Sequence, residues 1–250
     1  MDQNLFDYVL GLGDDALVLA QRLTQWCGHA PTIEIDLSLS NLGLDLLGQA
    51  TLFLGYAATI EGGKRDADKL AFHRDAHEFR NVMLVEQPNG DFGQTIVRQF
   101  LFSTWQKMLF DRLALSSDRS IADIATKAAK ETAYHEEIAA EWVIRLGDGT
   151  DESHHRVSEG VRWMWRFVPE LFLHDDTVQH VIACGAGVNC GSFRGEYDAR
   201  VASVFKEAGI EVPPIQRPLI GGRRGHHSEH LGPLLSEMQY LPRAYPDARW

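Results

Sequence analysis

The chain has 250 residues, 44% of them hydrophobic, and 24 Lys+Arg against 35 Asp+Glu give a formal net charge of −11. That length suits one large domain or two small ones, the composition is too apolar for a disordered chain, and the acidity argues against nucleic acid and anionic lipid as partners. Three cysteines, Cys27, Cys184 and Cys190, are too few for a disulfide framework and point to a reducing, cytoplasmic setting. Met1 to Asp15 carries acids and no basic residue, unlike a secretory signal. Leu42 to Ile60 lacks Lys and Arg, but it holds Asp45, Gln49 and Thr51. It therefore reads as a core helix and not as a membrane span, where an aspartate costs roughly 3 kcal/mol.

Along the chain the dominant period is helical. Asn4 to Trp26 predicts one or two helices, interrupted near Gly11 and Gly13. Ile35, Leu39, Leu42, Leu46, Gln49, Phe53, Tyr56 and Ile60 recur at spacings of four and three, the pattern of a buried helix face. Leu37, Leu44, Leu47 and Leu54 add a second apolar stripe, which predicts a helix enclosed at the centre of a bundle. Pro88-Asn89-Gly90 is a turn, and Asp91 with Gln94 resembles a capping box before Phe92, Ile96, Phe100, Trp105 and Leu109. The next helix runs from about Asp118 to Leu146 and stops at Gly147; Asp151 caps another that carries Val157, Val161, Met164, Trp165, Val168 and Phe172. Thr177 to Ala183 is a β-friendly run, Ser192 to Ala208 a helix ending at Gly209, and Ser228 the N-cap of a helix to Arg243. These elements predict a single all-α domain over 1–250, a helical bundle with long antiparallel helices and a loop-rich C-terminal third.

Four constellations bear on chemistry. Ferritin-like bundles hold two irons with Glu residues and Glu-x-x-His pairs, because residues three apart share a helix face. The one literal pair, Glu152 to His155, sits in a first turn outside the apolar stripe. On the core helices Asp45 is followed by Gly48 where histidine would stand, and His135 is preceded by Thr132 where glutamate would stand. Glu131 and His135 fall on a stripe with Ile124, Ala128, Ile138 and Trp142. Two readings stay open there: a metal site, or a buried polar cluster of Asp45, Gln49, Glu131 and His135 without metal. Second, His226, Glu229 and His230 match His-x-x-Glu-His, an inverted zinc-protease motif, but only 20 residues follow to supply a further ligand. Third, Gly185 to Gly191 is glycine-rich without the spacing or the βαβ unit of a dinucleotide loop. Fourth, Arg217, Arg223 and Arg224 form a small basic cluster suited to a phosphate or carboxylate.

Several blocks resemble the C-type subunits of the bacterial phenylacetyl-CoA epoxidases. They are Trp26-Cys27-Gly28-His29-Ala30-Pro31, Glu34 to Leu37, Asn41 to Ala50, Leu84 to Gly90, Lys130-Glu131 with Tyr134-His135, Glu229 to Pro233 and Glu237 to Leu241. The match is poorest from about Phe172 to Pro218. The resemblance implies a ferritin-like fold and membership of a multicomponent oxygenase that makes a ring 1,2-epoxide in aerobic phenylacetate breakdown. It implies that a homologous A-type catalytic subunit holds the di-iron centre. A reductase subunit brings NADPH, flavin and iron–sulfur chemistry, small accessory subunits complete the complex, and neither nucleic acid nor membrane takes part. The C-type subunit is then a structural partner, with no catalytic residue and no metal or other cofactor of its own. Asp45, Gly48, Glu131, Thr132 and His135 are degenerate di-iron positions in this reading, and Arg223 and Arg224 are candidates to touch the CoA phosphates.

Overall fold

Asp2 accepts a hydrogen bond from the Leu5 N–H and starts α1, Gln3–Thr24. The structure is a computed structural model and describes residues 1–215, 217–246 and 248. Among the described residues every regular element is helical: α1, α2 (Ile33–Ile60), α3 (Ala67–Phe72), α4 (Met83–Glu86), α5 (Phe92–Leu113), α6 (Arg119–Gly147), α7 (Asp151–Met164), α8 (Asp176–Ala183), α9 (Arg194–Glu207) and α10 (Leu231–Ala244). Short 3-10 turns fill several of the joins. The fold class is all-α, and none of the helices is long and apolar enough to cross a membrane. The chain divides into two compact units, residues 1–87 with 221–250 and residues 88–220.

In the first unit α1 and α2 pack along their lengths, and Leu12, Leu19, Leu39, Leu46 and Phe53 are buried. Each such side chain stabilises the unit by about 1.5–3 kcal/mol. α1 is a single helix, uninterrupted at Gly11 and Gly13. Gly13 is the point of close approach: a Cβ there would lie 2.8 Å from the Leu54 side chain. The second apolar stripe of α2 is not enclosed. Leu54 is buried, but Leu37, Leu44 and Leu47 are 61%, 63% and 40% exposed. α3 and α4, which periodicity does not mark, carry the chain back along the unit with Leu70, Met83, Leu84 and Val85 buried.

The second unit is organised around α5. Asp91 caps it by accepting from the Gln94 N–H, while the Gln94 side-chain amide donates to the Pro88 carbonyl and so closes the turn, not a capping box. α5 is buried on all sides, including Thr95, Arg98, Gln99, Ser103, Thr104 and Gln106. Part of that polarity is consumed locally: Thr95 Oγ1 donates to the Asn89 carbonyl, Arg98 Nη2 to Asn89 Oδ1, and Thr104 Oγ1 to the Phe100 carbonyl. α6, α7 and α9 pack against it, with Phe100 and Trp165 meeting Phe205 and the Tyr197 hydroxyl donating to the Leu101 carbonyl at 3.2 Å. Asp118, where the sequence predicts the helix to begin, caps α6 by accepting from the Ile121 N–H. Thr150, not Asp151, caps α7, which gives way to a 3-10 segment at Trp165–Phe172. The β-friendly run Thr177 to Ala183 is helical within α8, capped by Asp175. Among the described residues there is no neighbouring strand for it to pair with.

Candidate functional site

The first unit holds several of its charged residues on the inside. Asp14 and Asp15 sit in the apolar run of α1 and are 0% and 1% exposed. Asp14 accepts from the Arg80 N–H at 2.8 Å and pairs with both terminal nitrogens of the buried Arg74, whose guanidinium stacks 4.1 Å over the Phe79 ring. Asp15 accepts from the Val82 N–H at 2.8 Å and from Arg223 Nη2 at 2.6 Å. Glu86, 0% exposed, accepts from Asn81 Nδ2, the Ser228 N–H and His227 Nδ1, at 2.9, 2.6 and 2.8 Å. Arg22 donates twice to the Glu86 carbonyl and once to that of His230. The segments at 74–82 and 221–230 are largely irregular backbone laid against α1, so their N–H and C=O groups need partners that no helix supplies. The buried side chains are those partners. Gly225, at φ +77°, lets the second segment lie where a Cβ would come 2.2 Å from the His77 carbonyl.

Burial shifts the titrations in this interior. It lifts Asp15 from 3.8 to about 6, with Arg223 and the Val82 N–H opposing the rise. Burial works against a charged His227, yet the hydrogen bond and charge of Glu86, aided by the Phe79 carbonyl, outweigh it and raise the imidazole above 6.5. The arrangement is a set of charge-assisted clasps that hold the C-terminal segment to α1.

The sequence candidates are distributed differently. His226 and Glu229 are exposed, His230 is the N-cap residue of α10, and the helix begins only at Leu231. His226 and His230 therefore do not stand one turn apart on a helix, as the inverted zinc motif requires. Ser228 is not the cap either; its N–H goes to Glu86 and its carbonyl accepts from the Leu231 N–H. His227 is the member of the run that matters structurally. Arg223 is committed to Asp15 and the Arg80 carbonyl, whereas Arg224 is exposed. The Gly185–Gly191 loop is consumed inside its own unit: the Ala186 and Gly187 N–H groups donate to the Val181 carbonyl, and Ser116 and Ser117 donate to the carbonyls of Ala186, Cys184 and Gly185. Glu152 bonds Arg156, and His155 is exposed.

On the long helices, Gln49 and His135 are buried while Asp45 and Glu131 are only partly so. The buried stripe of α6 runs through Ile121, Ala125, Ala128, Thr132, His135, Ala139 and Val143. Ile124, Glu131, Ile138 and Trp142 flank it, because the small alanines, not the large residues, take the closest packing positions. Thr132 and His135 thus share the buried face, three residues apart. Glu136, beside them, pairs with Arg200 of α9 at 2.8 Å. Gly48 of α2 faces open space, with nothing within 4 Å of a Cβ placed there.

The family model described as "Phenylacetic acid catabolic protein" matches residues 1–250. The chain is 48% identical over 243 residues to the C-type subunit of the 1,2-phenylacetyl-CoA epoxidase of Escherichia coli (strain K12), covering 97% of this chain and 98% of that protein. The chain belongs to the phenylacetic acid catabolic protein family.

The all-α structure is consistent with the ferritin-like fold of that family. A ferritin-like di-iron centre takes carboxylates and histidines from four helices, including a Glu-x-x-His pair on each of two of them. This member of the family presents Thr132 before His135 and Gly48 after Asp45. A threonine hydroxyl and a glycine do not complete that donor set, and Gly48 does not share the buried face of Gln49. The residues present do not fit a di-iron centre. Asp14, Asp15 and Glu86 are committed to guanidinium, imidazole and backbone partners.

Proposed function

We propose that the chain is a non-catalytic subunit of a multicomponent phenylacetyl-CoA 1,2-epoxidase, supporting the di-iron catalytic partner in phenylacetate catabolism. The observation that carries this is the end-to-end 48% identity to the C-type subunit of such an epoxidase. The presence of threonine and glycine at the two pair positions supports the non-catalytic part of the reading. In this reading residues 1–250 act as one ferritin-like domain, working in the cytoplasm. Asp45, Gln49, Glu131 and His135 are polar remnants without metal. Iron resides in the A-type catalytic subunit, and the reductase supplies electrons from NADPH through flavin and iron–sulfur groups. Of the two arginines considered for the CoA phosphates, Arg224 is the exposed one.

Co-expression with the catalytic subunit from the same source tests this. A stable complex in which only the catalytic partner carries near-stoichiometric iron, and in which neither polypeptide by itself epoxidises phenylacetyl-CoA, is the expected result. Stoichiometric iron or zinc in this chain together with turnover by it alone overturns the proposal.

A further inference from the structure

We propose that the outward face of α2 is the apolar centre of this chain's contact with the catalytic subunit, seated against a helical face rimmed by basic residues. This rests on the reading given under the proposed function and names the surface that reading leaves open. Ile33, Leu37, Leu44, Leu47 and Leu52 are 76%, 61%, 63%, 40% and 37% exposed. Between them the same face carries the uncharged Asn41, Gly48, Thr51, Gly55 and Thr59, with Glu34 and Asp36 at its N-terminal end and Asp45 along its edge. The exposed Thr51 and Thr59 satisfy their hydroxyls within the helix, donating to the carbonyls of Leu47 and Gly55. Cβ atoms built on Gly48 and Gly55 meet nothing within 4 Å, so another helix has room to approach the backbone there. At 1.5 Å per residue the strip from Ile33 to Thr59 is about 39 Å long.

An exposed apolar strip of that length, in a chain of net charge −11, has the makeup of the dry centre of an interface. With a width of about 10 Å it supplies roughly 400 Å² of the ~800 Å² per partner that a standard interface buries, so a polar rim must complete it. The rim identifies the occupant. α2 contributes Glu34, Asp36 and Asp45, and it contains no Lys, Arg or His. A second copy of this chain laid on the strip would bring Asp45 near Asp45 and supply no cation from α2 to match the acids. A partner with lysines and arginines around an uncharged helical face would be electrostatically complementary.

The test measures binding of the full-length chain to the purified catalytic subunit, with Leu44→Glu and Gly48→Leu as variants and Leu115→Glu, at an exposed position of the second unit, as control. Leu44→Glu places a charge in the dry centre, and Gly48→Leu fills the close approach while improving helix propensity. Both should weaken binding at least tenfold, with Gly48→Leu melting no lower than wild type, and Leu115→Glu should bind like wild type. Wild-type binding with both α2 variants unchanged overturns the assignment of this face alone. Self-association of the wild-type chain that the α2 variants abolish overturns the choice of occupant. A wild-type chain that does not bind the catalytic subunit overturns the proposed function itself.

Discussion

Asp14, Asp15 and Glu86 each accept from a backbone N–H or an uncharged side chain as well as from a cation, and this makes their removal expensive in a particular direction. A buried ion pair is weak evidence of net stabilisation, but breaking one half strands the other. Arg74→Met should therefore destabilise the protein by about 3–5 kcal/mol in urea unfolding. The double variant Asp14→Asn/Arg74→Met should recover part of that loss. The pH dependence follows from two raised titrations. Asp15 holds its proton more tightly folded, at about 6, than at its ordinary 3.8. Its contribution is full below 3.8 and disappears as pH rises through 6, a swing of about 3 kcal/mol. His227 is also raised, so the stability its imidazolium lends is complete below 6.5 and fades as pH climbs through its folded value. Urea midpoints should thus fall between about pH 4 and pH 8, with Asp15→Asn flattening the acid part of the curve and His227→Gln the upper part. A profile that both variants leave unchanged would sink this account.

At the scale of elements, two glycines make opposite predictions. Gly147 ends α6 where a Cβ would lie 2.3 Å from the Ala208 carbonyl oxygen, so Gly147→Ala should cost about 1–3 kcal/mol in thermal unfolding. Gly48→Ala meets open space in mid-helix and should stabilise by about 1 kcal/mol. The starts of α5 and α6 are legible in the sequence because Asp91 and Asp118 are local signals that act through the next turn. The sidedness of α2 and α5 is not. Leucines outward on α2 and glutamines, serine and arginine inward on α5 invert the usual assignment of faces, and hydropathy alone does not report which face a neighbour covers. The buried stripe of α6 escapes periodicity for a related reason, since alanine carries little hydrophobic weight yet permits the closest packing. The β-branched residues of α8 suggest a strand, and a capping aspartate one residue before the helix decides otherwise. Of the site, the burial of Gln49 on α2 and of His135 on α6 can be read from spacing. Asp14 and Asp15 within an apolar run are a signal of buried pairing that spacing rules overlook. The role of Glu86 depends on partners 142 residues away, such as Ser228, and no local pattern reports that.

For the molecule as a whole, the order of its parts along the chain has consequences for synthesis. Residues 88–220 form one continuous unit, whereas the other unit is made from the segments that flank it on either side. Arg223 and His227, the partners of Asp15 and Glu86, are synthesised 208 and 141 residues after them. The middle of the chain can fold as it emerges, but Asp15 and Glu86 must wait for Arg223, His227 and Ser228 until residues 221–230 have been made. A chain cut after residue 220 should therefore keep a protease-resistant fragment from the middle and lose the N-terminal helices to digestion. Equal resistance of both parts would show that the tail is dispensable. If it is not, nascent chains and premature stops short of residue 230 would be degraded from the front, and only a chain that carries the clasping segment would ever present its long outward helix to a partner.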